Sequence, residues 1–122
     1  MISHSLDTAN AVLHIQPQSS LEKADFEKLA AEVDPFISES GDLAGIIVET
    51  PAFPGWASFG ALVAHLRFVR DHHKHIKKIA LVTDSALGNI AENIVSHFIS
   101  AEVKQFPASA LDSAREWILG GK

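Results

Sequence analysis

Leu43 to Glu49, Leu-Ala-Gly-Ile-Ile-Val-Glu, constrains this chain more than any other stretch, because it is an unbroken apolar run closed off by Gly41 before it and Pro51 after it. A short run rich in branched side chains and without polar alternation predicts a strand covered on both faces, the central position of a parallel sheet. Lys78 to Val82 repeats the character. Parallel neighbours need a crossover between them, and the stretch from about Ser58 to His72 has the apolar spacing of a helix.

The flanking segments extend the pattern. Residues 11–16 alternate Val12 and His14 against Leu13 and Ile15 before Pro17, as a strand does, and a shorter strand is expected near Ile2. Ser19 or Ser20 is the expected cap of a first helix, with Glu22 completing a capping box from Ser19. Phe26, Leu29, Ala30, Val33, Phe36 and Ile37 then make its buried face. Pro35 is expected to bend this helix without ending it, and Gly41 to stop it. Ala86 to Phe98 reads as another helix, with Leu87, Ile90, Ala91, Ile94 and Phe98 on one side. Glu102 to Phe106 reads as a short strand ending at Pro107, and Ser109 to Leu119 as a last helix closed by Gly120 and Gly121. The expected fold is α/β: a mostly parallel sheet of four or five strands covered by about four helices, in a single domain over residues 1–122.

Composition narrows the chemistry. Of 122 residues 47% are hydrophobic and 20% charged, enough apolar content for one core and too short a chain for two. The absence of Cys excludes disulfides, thiol catalysis and zinc sites built on sulfur. No apolar run is long enough to span a membrane, and Met1 to Asn10 lacks the pattern of a signal peptide, so a cytoplasmic protein without integral membrane association is expected. A net charge of -5 and the lack of a nucleic-acid motif argue against nucleic acid as a partner.

Phe53-Pro54-Gly55-Trp56, then Leu66-Arg67-Phe68, then the stretch His72-His73-Lys74-His75 running through Lys78-Ile79-Ala80-Leu81-Val82-Thr83-Asp84, resemble the SpoIIAA-like family of small bacterial proteins. The closing stretch Ala101 to Pro107, with Ala114-Arg115-Glu116-Trp117-Ile118, is similar to that family's ending, and the resemblance covers roughly Val12 to Leu119. It implies a STAS-like domain, related to the lobe of CRAL-TRIO lipid-transfer proteins, and a role in binding a hydrophobic ligand or lipid. STAS antagonists of anti-sigma factors are switched by phosphorylation of a Ser after the strand that corresponds to Leu43–Glu49. Here that strand runs into Thr50-Pro51-Ala52-Phe53, and the nearest Ser is Ser58. A phosphoswitch of that kind is therefore not expected.

The helix at Ser58–His72 carries two apolar stripes. Phe59, Leu62, Val63, Leu66 and Val69 make one, expected to cover the sheet; Ala57, Ala61, Ala64 and Phe68 make the other. The second stripe meets a helix of the same chain, a partner chain in a homodimer, or an apolar ligand. Phe53, Trp56 and Phe59, hinged by Pro54 and Gly55, form either a lid over such a ligand or an aromatic plug on the helix end. The ligand-binding candidates are accordingly Phe53, Trp56, Phe59, Phe68, Ile94 and Phe98, and the interface candidates Ala57, Ala61, Ala64 and Phe68.

Polar candidates gather where parallel strands end. Glu49 and Thr50 follow one strand and Thr83, Asp84 and Ser85 the next; if the strands are neighbours, a carboxylate pair meets there, able to serve acid/base chemistry, although Asp84 or Ser85 can equally cap the helix that follows. His72, His73 and His75 have the look of a metal site, but they lie among Arg67, Arg70, Lys74, Lys77 and Lys78, and a solvated helix end is the expected reading. Charge is uneven: Asp7, Glu22, Asp25, Glu27, Glu32, Asp34, Glu39, Asp42 and Glu49 face only Lys23 and Lys28 in residues 1–49, while those five bases face only Asp71 in residues 50–78. The sequence thus predicts a non-enzymatic domain that takes an apolar or amphipathic small molecule, a lipid among them, with no metal or cofactor. The alternative is a regulatory or self-associating interaction module.

Overall fold

A tight turn folds the first two strands back on each other. Strand β1 (Ile2–Asp7) and strand β2 (Val12–Pro17) pair antiparallel, with Asp7 opposite Val12. The Asp7 carboxylate closes the turn by accepting from the Asn10 side-chain amide at 2.8 Å and the Asn10 backbone N–H at 3.2 Å. Those bonds, the side-chain one foremost, hold the Asp7 carboxyl below its ordinary value. The computed structural model describes residues 2–18, 20–50, 59–84 and 102–120, and within them not the side chains of Phe59, Leu62 and His73.

Helix α1 (Lys23–Ser40) follows. It starts later than the Ser19 capping box would place it: Glu22 is the N-cap, and its backbone N–H donates to Asp25 Oδ2 at 2.8 Å. Asp25 thus fills the third-position role expected of Glu22, because an acidic side chain there can reach back to the cap at either register. The helix runs through Pro35 and ends at Gly41, whose φ of 96° is a region that side chains resist. The Gly41 N–H then donates back to the Ile37 carbonyl at 3.0 Å.

Strand β3 (Leu43–Glu49), helix α2 (Phe59–His72), a 3-10 turn (His73–His75), strand β4 (Ile76–Val82), strand β5 (Glu102–Phe106) and helix α3 (Leu111–Gly120) complete the described elements. The expected helix at Ala86–Phe98 lies outside the described residues, so the described domain has three α-helices. The sheet order is β1-β2-β3-β4-β5, parallel from β2 to β5. The run Leu43–Glu49 is its central strand, as its sequence requires.

Both faces of the sheet are covered. Leu13, Ile15, Ile46 and Ile76 pack with Phe26, Leu29 and Val33 of α1, and Ala64 and Phe68 of α2 join this cluster. On the other face Val12, Ile47, Ala80, Val82 and Phe106 pack with Ala114 and Ile118 of α3. Gly45 makes the second contact possible: a Cβ there would lie 2.7 Å from Ile118 Cγ2. Exchanging Gly45 for Val is therefore expected to lower stability by about 1–3 kcal/mol through overpacking. The accompanying change Ile118→Ala should offset part of that loss, so a denaturant double-mutant cycle in which the two costs simply add would refute the contact.

Candidate functional site

Parallel order brings the carboxyl ends of β2, β3, β4 and β5 to one edge, the place where open α/β sheets bind ligands. His14 and Gln16 come from β2, Glu49 and Thr50 from the end of β3, Thr83 and Asp84 from the end of β4, and Gln105 from β5. The expected neighbourhood of β3 and β4 holds, with Glu49 opposite Val82 and the Thr50 N–H donating to the Val82 carbonyl at 3.1 Å. The two carboxylates nevertheless serve different partners. Glu49 Oε1 lies 2.8 Å from His14 Nε2 and accepts from Gln16 Nε2 at 3.1 Å. Asp84 Oδ1 accepts from the Ala108 N–H at 3.0 Å, tying the end of β4 to the turn after β5. Gln105 Nε2 donates to the Thr83 carbonyl at 2.9 Å, and a cavity of about 270 Å³ opens beside Thr83, Asp84, Gln105, Phe106 and Pro107.

The second polar concentration lies between α1 and α2. The side of α2 that faces α1 carries Ala64, His65, Phe68 and His72, the spacing of one helix face. His65 stacks on Phe26 with ring centroids 4.8 Å apart and planes at 13°, Phe68 meets the same Phe26 ring at 6.3 Å, and His72 stacks on Phe68 at 4.2 Å. His72 is buried, with its Nε2 2.6 Å from Asp34 Oδ1 of α1 and its Nδ1 2.7 Å from the Phe68 carbonyl oxygen. This corrects the reading of His72 as part of a solvated helix end. His75 does remain exposed, paired with Asp42 through Nδ1 at 3.0 Å. A cleft of about 350 Å³ lined by Asp34, Asp71, His72 and His75 runs along the seam. Among the described residues no three His, Asp or Glu side chains are placed to hold a metal ion.

This seam also fixes which stripe of α2 is inside. Ala61 is fully buried, and Ala64 and Phe68 lie against the cluster that α1 shares with the sheet. Leu66, expected to face the sheet, is 60% exposed, and Val63 and Val69 are half-buried. Leu66 thus departs from the expected sheet-facing stripe, while His65 and His72 contribute aromatic rings to the side that meets α1. Of the remaining candidates, Phe53, Trp56, Ala57, Ile94 and Phe98 lie outside the described residues, as do Ser58 and Ser85, and Phe59 is described only as the first residue of α2.

Sequence patterning also passed over Trp117. Lys78 Nζ donates to the Trp117 carbonyl at 2.9 Å and sits 4.9 Å over the indole, while Lys104 Nζ lies 5.2 Å over Phe106. The alternation of Lys78, Ala80 and Val82 along one face of β4 is the signal that could have placed Lys78 beneath α3.

The family model described as SpoIIAA-like matches residues 12–119. The chain belongs to the SpoIIAA-like family. An uncharacterised protein with a SpoIIAA-like fold from Shewanella loihica PV-4, of the DUF3478 family, superimposes with a TM-score of 0.78 at 18% identity, covering 97% of this chain and 92% of that one. Comparison with curated proteins returns no match. Among the described residues of this SpoIIAA-like domain, no helix is long and apolar enough to cross a membrane.

Burial at the α1–α2 seam holds the His65 imidazole below its ordinary value of 6.5. The unfolded chain therefore takes up this proton first as pH falls, so the contribution of His65 to stability is full above about 6.5 and declines below it. Replacing His65 by Phe, which can keep the stack on Phe26, should make urea stability less pH-dependent between pH 7 and 5. Identical pH slopes in the two proteins would show that His65 is not the group responsible.

Proposed function

We propose that this SpoIIAA-like domain binds an apolar or amphipathic small molecule, a lipid or fatty acid in the simplest case, along the outer side of α2. A SpoIIAA-like fold supports a binding or regulatory role in general. The observation that carries the narrower reading is Leu66, a large apolar side chain 60% exposed in mid-helix. Half-buried Val63 and Val69 stand at i−3 and i+3 from it, so the three share one side. Arg70, one turn on, and Arg67 are exposed beside this side, positioned for an anionic headgroup, and Arg70 already holds a carboxylate, its Nε donating to Asp71 Oδ1 at 2.9 Å. Apolar surface bordered by guanidinium groups suits a molecule with a hydrocarbon body and an acidic end. The aromatic segment Phe53 to Phe59 leads directly into α2 in sequence, which suits the lid reading.

Self-association is the second reading, and the same residue carries it. Ala61 is buried and Ala64 and Phe68 pack against the core cluster, so a homodimer formed through α2 would use the Leu66 side.

Lipid extraction and native mass spectrometry of the purified protein, with Trp fluorescence titrated against a fatty acid, test the binding reading. A saturable response is expected, weakened at least about tenfold in Leu66→Glu, or about 1.4 kcal/mol, and unchanged in Leu119→Glu, a control on α3 where Leu119 is 44% exposed. No ligand and no saturable response would overturn it. If light scattering instead finds a dimer that Leu66→Glu dissociates, a second copy of the chain occupies the face.

A further inference from the structure

His72 is held by acceptors on both sides. Its Nδ1 is 2.7 Å from the Phe68 carbonyl oxygen, one turn back in α2, and its Nε2 is 2.6 Å from Asp34 Oδ1 in α1. A carbonyl has no proton to give, and neither has an ionised carboxylate. A neutral imidazole has one N–H and can donate to only one of them; the ring with both nitrogens protonated donates to both. Two further features favour that charged form. The ring lies on the face of Phe68, centroids 4.2 Å apart and planes at 22°, where a cation is attracted to the π-system. His72 is also the last residue of α2, where the helix dipole favours positive charge.

We propose that His72 and Asp34 form a proton-dependent clasp that holds the C-terminal half of α1 against the end of α2. Protonated, His72 bridges Asp34 to the Phe68 carbonyl and keeps the cleft along Ala30, Asp34, Ile37 and Ser38 closed to its present width. Deprotonated, the ring has a single N–H and gives up one of the two bonds, and what it keeps toward Asp34 is at most a hydrogen bond without the charge pairing. The side chain of His72 is only 9% exposed while that of Asp34 is 62% exposed, so the clasp joins a buried ring to a carboxylate open to water.

Other charged groups face the clasp. Asp71, beside His72 on α2, lines the same cleft and is held below the ordinary carboxylate value, first by its hydrogen bond from Arg70 and in smaller part by the charges of Arg70, His72 and Arg67. His75 lines it from the 3-10 turn, paired with Asp42 at the end of α1. His65, two turns back on α2, responds to acid in the opposite direction through its burial. The pH dependence of the whole protein therefore mixes several groups, and the clasp has to be isolated by a cycle.

The wild type, Asp34→Asn, His72→Gln and the double variant are to be compared by thermal unfolding at pH 5.5 and pH 8. The two values bracket the range in which imidazoles as a class pass from two protons to one. The contribution of the clasp is greatest at the acid end and declines as pH rises. Asp34→Asn is expected to lower the melting temperature at least twice as much at pH 5.5 as at pH 8, and to have little effect in the His72→Gln background. An equal shift at both pH values, or a shift that survives without His72, overturns the proposal. Asp34 is exposed enough for Asp34→Asn to fold, so the two-pH comparison decides even if His72→Gln does not.

Discussion

Ile118 resting on the bare backbone of Gly45 sets the thickness of this domain. A side chain at position 45 would force Ile118 or α3 to move away from β3, because the added Cβ would lie within 3 Å of three Ile118 carbons. That approach closes the second face of the sheet and buries Val12, Ile47, Ala80 and Val82. It also explains why Leu43–Glu49 has no polar alternation: the strand has apolar contacts above and below. Lys78, on the α3 face of β4, is accommodated by turning its charge out to the Trp117 carbonyl and indole, so that only its aliphatic stem lies under the helix.

The opposite face is organised by aromatic rings of mixed chemistry. Phe26, His65, Phe68 and His72 form a continuous series of contacts between α1 and α2, two of the four being histidines. An imidazole can supply ring area to a core and still use its nitrogens at the margin, as His72 does with Asp34. The consequence for function is geometric. Turning this side of α2 inward turns Leu66 outward, together with the sides of Val63 and Val69 that α1 leaves uncovered, and brings Arg67 and Arg70 alongside. The exposed apolar side of α2 is thus a by-product of how the helix packs.

At the carboxyl edge of the sheet the arrangement is different, because the polar side chains there are already engaged with one another. Glu49 connects β3 to His14 and Gln16 of β2, and Asp84 connects β4 to the turn after β5. These bonds reinforce the order β2-β3-β4-β5 at the carboxyl ends of the strands. They also give Glu49 and Asp84 separate surroundings, in place of the shared acid/base site that their positions in sequence invite.

The sequence by itself determined the strands, the central place of Leu43–Glu49, the helices at 23–40, 59–72 and 111–120 to within a few residues, and the SpoIIAA-like family. Those features follow from local periodicity and from Gly and Pro at the element ends, which neighbours in space do not alter. Helix phase, cap choice and polar partners were decided only by the tertiary structure. Whether His65 and His72 count as polar or aromatic depends on which rings stand opposite, and whether Glu49 meets Asp84 or His14 depends on which side of β3 its side chain leaves. Both are contacts between residues far apart in the chain, and no spacing along one segment encodes them.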